Sequence, residues 1–143
     1  MEPSFGKQDN YFWAILPNGI GYYCGYVFVP EDHPRFEEDM YDNGLINAHG
    51  GITYQNVKCP MEYPHPLPKG KWIGFDCAHS GDSQSPEYIK EFPSRRIDFG
   101  GDETFKDVDY VYNEICNIIL QLGLYDKVFR FRSEPDFRLE FPY

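Results

Sequence analysis

Positive charge is scarce in this sequence of 143 residues. It has 13 lysines and arginines against 23 aspartates and glutamates, which gives a formal net charge of −10. Broad binding to nucleic acid or to an anionic membrane needs a basic face, because both partners are polyanionic. The charge balance therefore argues against both functions.

Long hydrophobic runs and paired cysteines are also lacking. No stretch approaches the roughly 18 consecutive apolar residues of a membrane span, and no basic region followed by an apolar one marks a secretory signal. The cysteines lie far apart without a CxxC spacing, which disfavours a zinc ribbon. We therefore expect a cytoplasmic protein with reduced thiols. The cysteines are Cys24, Cys59, Cys77 and Cys116.

Aromatic side chains, by contrast, are abundant. The chain has 12 Tyr, 12 Phe and 2 Trp, an aromatic share of 18%, within an apolar fraction of 41% that is too high for charge-driven disorder. Aromatic residues fill cores and also line pockets in which planar ligands stack. At about 100 to 200 residues per domain, the length predicts a single domain over residues 1–143.

Short runs of aromatic and β-branched residues, bounded by glycine, proline and asparagine, predict β-strands. The first two runs flank a Pro-Asn-Gly turn and predict an antiparallel hairpin. Residues 61–70 are rich in proline and cannot form a central strand. The predicted strands are residues 11–16, 22–29, 45–48, 52–54 and 71–77.

Residues 104–122 are predicted to form one long amphipathic helix. Their apolar side chains recur at i, i+3, i+4 and i+7, the period of a helix with one buried face. Asp102 or Thr104 is the candidate N-cap, and Gly123 is the expected C-terminal stop.

Two segments flank this helix. Residues 80–103 are long and irregular, with several glycines and serines, as is typical of a functional loop or lid. Residues 127–132 alternate polar and apolar side chains, which predicts a strand paired with residues 137–141 in a C-terminal β-hairpin over about residues 127–141. The expected fold is α+β: one domain with a mainly antiparallel β-sheet and one long helix packed on it.

Two segments, residues 47–54 and 72–82, concentrate polar chemistry in apolar surroundings. Asp76 ends a predicted buried strand, where an ionisable group is costly unless it is paired or used. If the chain turns after this strand, His79 and Asp82 come to lie beside Asp76 at the strand's end. The main structural question is whether His49 lies close to these side chains in the folded protein.

The first interpretation of these residues is a metal centre. Two histidines and two aspartates could hold a divalent metal that activates water, as in metal hydrolases. In that enzyme His49, Asp76 and His79 would be catalytic, and Asp82 would be a further ligand.

The second interpretation is a nucleotide site. Glycines after a histidine can aim backbone amides at a phosphate, carboxylates can accept from ribose hydroxyls, and an aromatic ring can stack on a base. An arginine pair could clamp a phosphate or carboxylate. The residues in these roles are His49, Gly50, Gly51, Tyr54, Trp72, Asp76, His79, Asp82, Arg95 and Arg96.

A purely structural interpretation stands beside both. Gly50-Gly51 can simply mark a turn, and Asp76 with His79 can form a structural pair. By composition His33 lies in an exposed turn and His65 in a proline-rich loop. None of the strong catalytic signatures GxSxG, HExxH or the P-loop is present.

Several motifs in order resemble a family of small uncharacterised proteins from bacteriophages, prophages and bacteria. The motifs are HGGITY at residues 49–54 and GFDCAHSGD at residues 74–82, together with segments at residues 25–34 and 105–114. The resemblance covers most of residues 22–122. Small phage proteins often counter host defence, so the resemblance implies sequestration or degradation of a nucleotide immune signal, or direct blocking of a defence enzyme.

Three functions follow as hypotheses. The first is a small-molecule binding protein for a nucleotide-derived ligand, with residues 80–103 as its lid. The second is a metal-dependent hydrolase of the phosphoesterase type that uses the same histidines and aspartates. The third is an acidic protein-blocking inhibitor that acts through the six acids of residues 31–42.

Overall fold

A five-stranded antiparallel sheet lies at the centre of the structure. The structure is a computed structural model that describes residues 1–133, with side chains described through residue 126. The strand order is β1-β2-β3-β5-β4. The five strands are β1 (Ser4–Gln8), β2 (Tyr11–Pro17), β3 (Tyr23–Pro30), β4 (Tyr54–Asn56) and β5 (Gly70–Asp76).

Side chains along β5 alternate between the two faces of the sheet, as its sequence predicts. Ile73 and Phe75 belong to the core beneath the main helix, whereas Trp72 belongs to a second cluster on the opposite face. Tyr63 and Leu67 of the proline-rich segment pack against that second cluster. Both faces are therefore covered, which accounts for much of the aromatic content.

The main helix, α2 (Val108–Ser133), packs its apolar stripe on the sheet. Its N-cap is Asp107 rather than Asp102 or Thr104, because Asp107 Oδ1 accepts the backbone N–H of Tyr110 at 2.9 Å. The predicted stripe is confirmed, and its fully buried members are Val111, Ile115, Ile118, Ile119 and Leu122.

The helix continues past Gly123, which lacks the positive φ that ends helices at glycine. The backbone is helical to Ser133, so the strand predicted at residues 127–132 is wrong. A six-residue run is too short for periodicity to separate a strand from a helix. Residues 137–141, its predicted partner, lie outside the described residues. Among the described residues, no helix combines the length and apolar character of a membrane span.

The middle of the chain contains fewer strands than its apolar runs predict. Residues 45–46 form bends and residues 47–48 have no regular structure, although Ile46 is buried in the core, so the strand predicted there is wrong. The strand predicted at residues 52–54 begins only at Tyr54, as β4. Sequence reasoning also misses β1, whose pairing with β2 extends the sheet.

Residues 80–103, predicted as an irregular loop or lid, contain short regular elements. They hold β6 (Asp82–Ser83), α1 (Pro86–Glu91) and a 3₁₀ turn at Pro93–Arg95. A further strand, β7 (Thr104–Phe105), pairs in parallel with β6. The segment that leads into α2 is therefore tied back to the segment that follows β5.

The buried side chain of Gln84 anchors this segment. Its amide nitrogen donates to the carbonyls of Ile20 and Arg95 at 2.8 and 3.1 Å, and its oxygen accepts the N–H of Ile97 at 2.8 Å. One glutamine thus joins the β2–β3 turn to two points of the predicted lid. These three hydrogen bonds to a fully buried amide hold residues 84–97 against the turn between β2 and β3.

Candidate functional site

The predicted His/Asp cluster forms where β5 ends. The N–H of Ala78 donates to Asp76 Oδ1 at 3.1 Å, and the N–H of Asp82 donates to the carbonyl of His79 at 2.9 Å. These two bonds fold residues 76–82 into consecutive turns, which bring the carboxylates of Asp76 and Asp82 to either side of the His79 ring.

Asp82 is the buried centre of the cluster, with its side chain only 1% exposed. Its Oδ2 lies 2.8 Å from His49 Nε2 and accepts the N–H of His79 at 3.1 Å. Its Oδ1 lies 3.1 Å from the Lys106 ammonium. Burial raises the pKa of the Asp82 carboxyl, but the hydrogen bonds from His49, the His79 amide and Lys106 outweigh burial and bring the pKa below its usual value.

Lys106 reaches the cluster from the connection between β7 and α2. Its ammonium also donates to the carbonyl oxygens of Gly81 and Thr104 at 3.1 and 3.2 Å. It is therefore held by acceptors on both sides of the β6–β7 pair, and its charge offsets that of Asp82.

His79 bridges the two carboxylates. Its Nε2 lies 3.4 Å from Asp76 Oδ1, and its Nδ1 lies 3.7 Å from Asp82 Oδ2. The Nδ1 atom is buried without a hydrogen-bond partner among the described residues, although the ring as a whole is 37% exposed. A buried ring nitrogen without a partner is costly, so it marks an open place for a donor or an ion.

Gly50 makes room for this ring. A Cβ atom at Gly50 would lie 2.4 Å from His79 Cε1, closer than real contacts allow, and the φ of Gly50 is +70°. The glycines after His49 therefore provide space for an imidazole. They form a weaker anion cradle than predicted, because the N–H of Gly51 already donates to the carbonyl of Ala48 at 2.9 Å.

His49 connects the cluster to α2. Its Nδ1 lies 2.7 Å from the hydroxyl of Tyr110, and the two rings meet edge to face at 5.3 Å. The His49 and His79 ring centres are 5.9 Å apart. His49 therefore lies close to His79, a meeting that the sequence leaves open, and the contacts run from His49 through Asp82 and His79 to Asp76.

Three of the four predicted ligands form a group that could hold a metal ion. One donor atom each from His49, His79 and Asp82 lies within 4.8 Å of the others. Asp76 lies outside this group, beside His79, where Thr53 Oγ1 donates to its Oδ2 at 3.2 Å. Two imidazoles and one carboxylate suit a divalent transition metal.

The predicted stacking residues lie elsewhere. Trp72 is 1% exposed and packs edge to face on Phe28, so it has no free face for a ligand. Tyr54 is half-buried in the same second cluster, edge to face with Tyr26, and its hydroxyl donates to the carbonyl of Lys58.

The predicted arginine clamp also lies outside the cluster. Arg95 stacks over the ring of Phe92 at 4.4 Å and is exposed in the 3₁₀ turn. Arg96 lines an open groove together with acidic Asp98 and Asp102, among others.

A smaller groove does adjoin the cluster. It measures about 380 Å³, starts at His49 and runs along the polar face of α2. Its other lining residues are Asn47, Ala48, Glu114, Asn117, Leu120 and Gln121.

Sequence reasoning does not identify Lys106 or Tyr110 as site residues. Lys106 lies just before α2, and Tyr110 lies in its first turn, directly before the buried Val111. Helical periodicity places Tyr110 at the edge of the apolar stripe, but only the tertiary contact with His49 gives its hydroxyl a partner.

The other two histidines differ from each other. His33, expected in an exposed turn, is instead buried, with its Nε2 at 2.9 Å from the carbonyl of Leu122 and its Nδ1 accepting the N–H of Arg35. It therefore ties the segment after β3 to α2. His65 is exposed in the proline-rich segment, as predicted.

Comparison with known proteins gives no match: no family model fits the chain, and no curated protein or solved structure is significantly similar to it. The cluster geometry is therefore the basis for assigning a function.

Proposed function

We propose that the protein is a metal-dependent hydrolase that acts on a small phosphoester derived from a nucleotide. The observation that carries the proposal is the convergence of one donor atom each from His49, His79 and Asp82 within 4.8 Å, together with the buried Nδ1 of His79, which lacks a hydrogen-bond partner among the described residues. A divalent ion would give that nitrogen the partner it lacks.

The donor set favours particular metals. Lys106 offsets the charge of Asp82, so two neutral imidazoles supply most of the affinity for an ion. Imidazole ligands suit zinc, cobalt or nickel, whereas magnesium prefers oxygen ligands. We therefore expect Zn²⁺ or Co²⁺ to bind and Mg²⁺ to bind weakly. Such an ion lowers the pKa of bound water and polarises a phosphoryl oxygen.

The surroundings of the cluster limit how a small phosphoester can bind. The groove of about 380 Å³ begins at His49 and offers room for the remainder of the molecule beside the ion. The net charge of −10 of the whole protein repels a phosphoester at long range. The attraction must therefore come from a cation bound locally at the cluster.

Cobalt titration tests the metal centre. Visible absorption and calorimetry of the purified chain with Co²⁺ should show one equivalent bound, and His79→Ala should abolish binding. The matched control is His65→Ala, because His65 is exposed outside the cluster and its loss should leave Co²⁺ affinity unchanged. A wild-type chain that binds no stoichiometric divalent ion would contradict the proposal.

Activity is tested with the same variants. Bis(p-nitrophenyl) phosphate and cyclic dinucleotides should be hydrolysed by the metal-loaded wild type and by His65→Ala. His79→Ala and Asp82→Asn should lose turnover. Metal binding without hydrolysis of any phosphoester in the panel would rule out the phosphoesterase activity.

A second candidate is a protein that sequesters a nucleotide-derived signal, as a phage counter-defence protein would. It is favoured by the contacts of Asp82, whose Oδ2 already pairs with His49 Nε2 and accepts the N–H of His79 without an ion. This protein should bind nucleotides in the presence of EDTA, with a stabilisation of about 2.7 kcal/mol at 100 times the dissociation constant. The hydrolase requires the metal, so thermal shifts with and without EDTA separate the two.

A further inference from the structure

The hydroxyl of Tyr110, the imidazole of His49 and the carboxylate of Asp82 form one line of contacts. Tyr110 Oη lies 2.7 Å from His49 Nδ1, and His49 Nε2 lies 2.8 Å from Asp82 Oδ2. The line joins the start of α2 to β6 through the turn that precedes β4. Both ring nitrogens of His49 are therefore engaged, one by a hydroxyl and one by a carboxylate.

The two partners differ in what they can do. An ionised carboxylate only accepts hydrogen bonds, whereas a phenol hydroxyl both donates and accepts. In the metal-free protein a neutral His49 must therefore carry its proton on Nε2 and donate a hydrogen bond to Asp82. Its Nδ1 then accepts a hydrogen bond from the Tyr110 hydroxyl.

Metal binding requires the opposite tautomer. His49 Nε2 is the nitrogen that faces Asp82, so it must present its lone pair to an ion that Asp82 helps to hold. The imidazole proton then lies on Nδ1 and needs an acceptor. The Tyr110 hydroxyl can rotate to become that acceptor without movement of the ring.

We propose that Tyr110 is a positioning residue that holds His49 in both tautomers and so allows it to become a metal ligand. This inference rests on the proposed metal centre. A partner that could only donate would leave Nδ1 unpaired in the metal-bound state, and an absent partner would leave it unpaired in both states.

The surroundings hold the Tyr110 ring in place. The side chain of Asp107 caps the helix by accepting the N–H of Tyr110 at 2.9 Å, and the ammonium of Lys106 lies 5.6 Å from the ring centre. The edge-to-face contact with His49, at an interplanar angle of 89°, fixes the direction of the hydroxyl.

The decisive variant is Tyr110→Phe, which removes the hydroxyl and keeps the ring. Loss of such an outer partner should weaken Co²⁺ affinity by about 10- to 100-fold. The matched control is Tyr112→Phe, two residues along α2, where the hydroxyl contacts Gln8 at 3.3 Å and the ring packs on Trp13. That variant should bind Co²⁺ as the wild type does.

Nitrogen-15 NMR of the histidine rings gives a readout that a merely structural tyrosine would not change. His49 should carry its proton on Nε2 without metal and on Nδ1 with diamagnetic Zn²⁺, and Tyr110→Phe should lose the hydrogen-bond shift at Nδ1. Equal Co²⁺ affinity of Tyr110→Phe and wild type would overturn the inference while leaving the metal centre intact. A wild type that binds no ion would overturn both.

Discussion

At the scale of single residues, Gly50 decides whether the cluster can form. Its φ of +70° lies in the left-handed region that residues with a Cβ rarely adopt, and a Cβ there would collide with the His79 ring at 2.4 Å. Gly44 separates these two effects, because its φ is +78° but nothing lies within 4 Å of its Cβ position.

We expect Gly44→Ala to cost about 1 to 2 kcal/mol of unfolding free energy through backbone strain alone. Gly50→Ala should cost at least as much and also displace His79, so that Co²⁺ binding is lost. Urea denaturation and Co²⁺ titration of both variants measure the difference. If Gly50→Ala still binds Co²⁺ with wild-type affinity, then Co²⁺ binding does not require the position of His79 against Gly50.

Residue types alone identify the histidines and aspartates of the cluster but assign the wrong task to several neighbours. Gly50 gives space to a ring, whereas the sequence suggests an anion cradle. Trp72 has the aromatic face of a stacking residue, but the alternation of side chains along β5 places it in the second core cluster, where it is buried. The sequence names the chemistry of a side chain, whereas its accessibility depends on which segments cover it.

At the scale of elements, the helix is predicted from its periodicity and misjudged at both ends. The 3.6-residue stripe depends only on local order, so its buried members follow directly from the sequence. The ends depend on the capping bond of Asp107 and on the φ adopted at Gly123, and neither is set by residue type alone.

The segment at residues 80–103 shows the same limit. Its glycines and serines are typical of a mobile loop, but the buried side chain of Gln84 joins it to the β2–β3 turn by three hydrogen bonds. A single polar residue that reaches distant backbone groups has no periodic signature, so sequence patterns do not reveal it.

We therefore expect Gln84→Ala to release the segment. Three backbone groups that bond to the buried amide of Gln84 would lose their partner, including the N–H of Ile97, at a cost of about 1 to 3 kcal/mol. Hydrogen exchange should accelerate at the Ile97 amide and along residues 84–103. Gln8→Ala, which removes one 3.3 Å contact with Tyr112, is the control and should leave that exchange unchanged. Unchanged exchange in Gln84→Ala would mean that other contacts hold the segment.

At the scale of the whole molecule, the acids described by the structure are exposed or half-buried apart from Asp82, which is buried. Asp82 is enclosed by donors, whereas Asp32 and Glu37 are exposed. Other acids of residues 31–42 have structural tasks: Glu38 pairs with Arg35 at 2.8 Å. Asp39 accepts from the N–H of Tyr41 and from the side chain of Gln55.

Asp32 and Glu37 are therefore the acids whose neutralisation separates a surface inhibitor from a metal site. The double variant Asp32→Asn, Glu37→Gln should change Co²⁺ affinity less than about twofold in 0.15 M salt, because water and ions screen exposed charges. Its unfolding free energy should stay within about 0.5 kcal/mol of wild type. A loss of Co²⁺ affinity beyond about tenfold would show that the acidic surface, rather than the local donors of the cluster, governs cation binding.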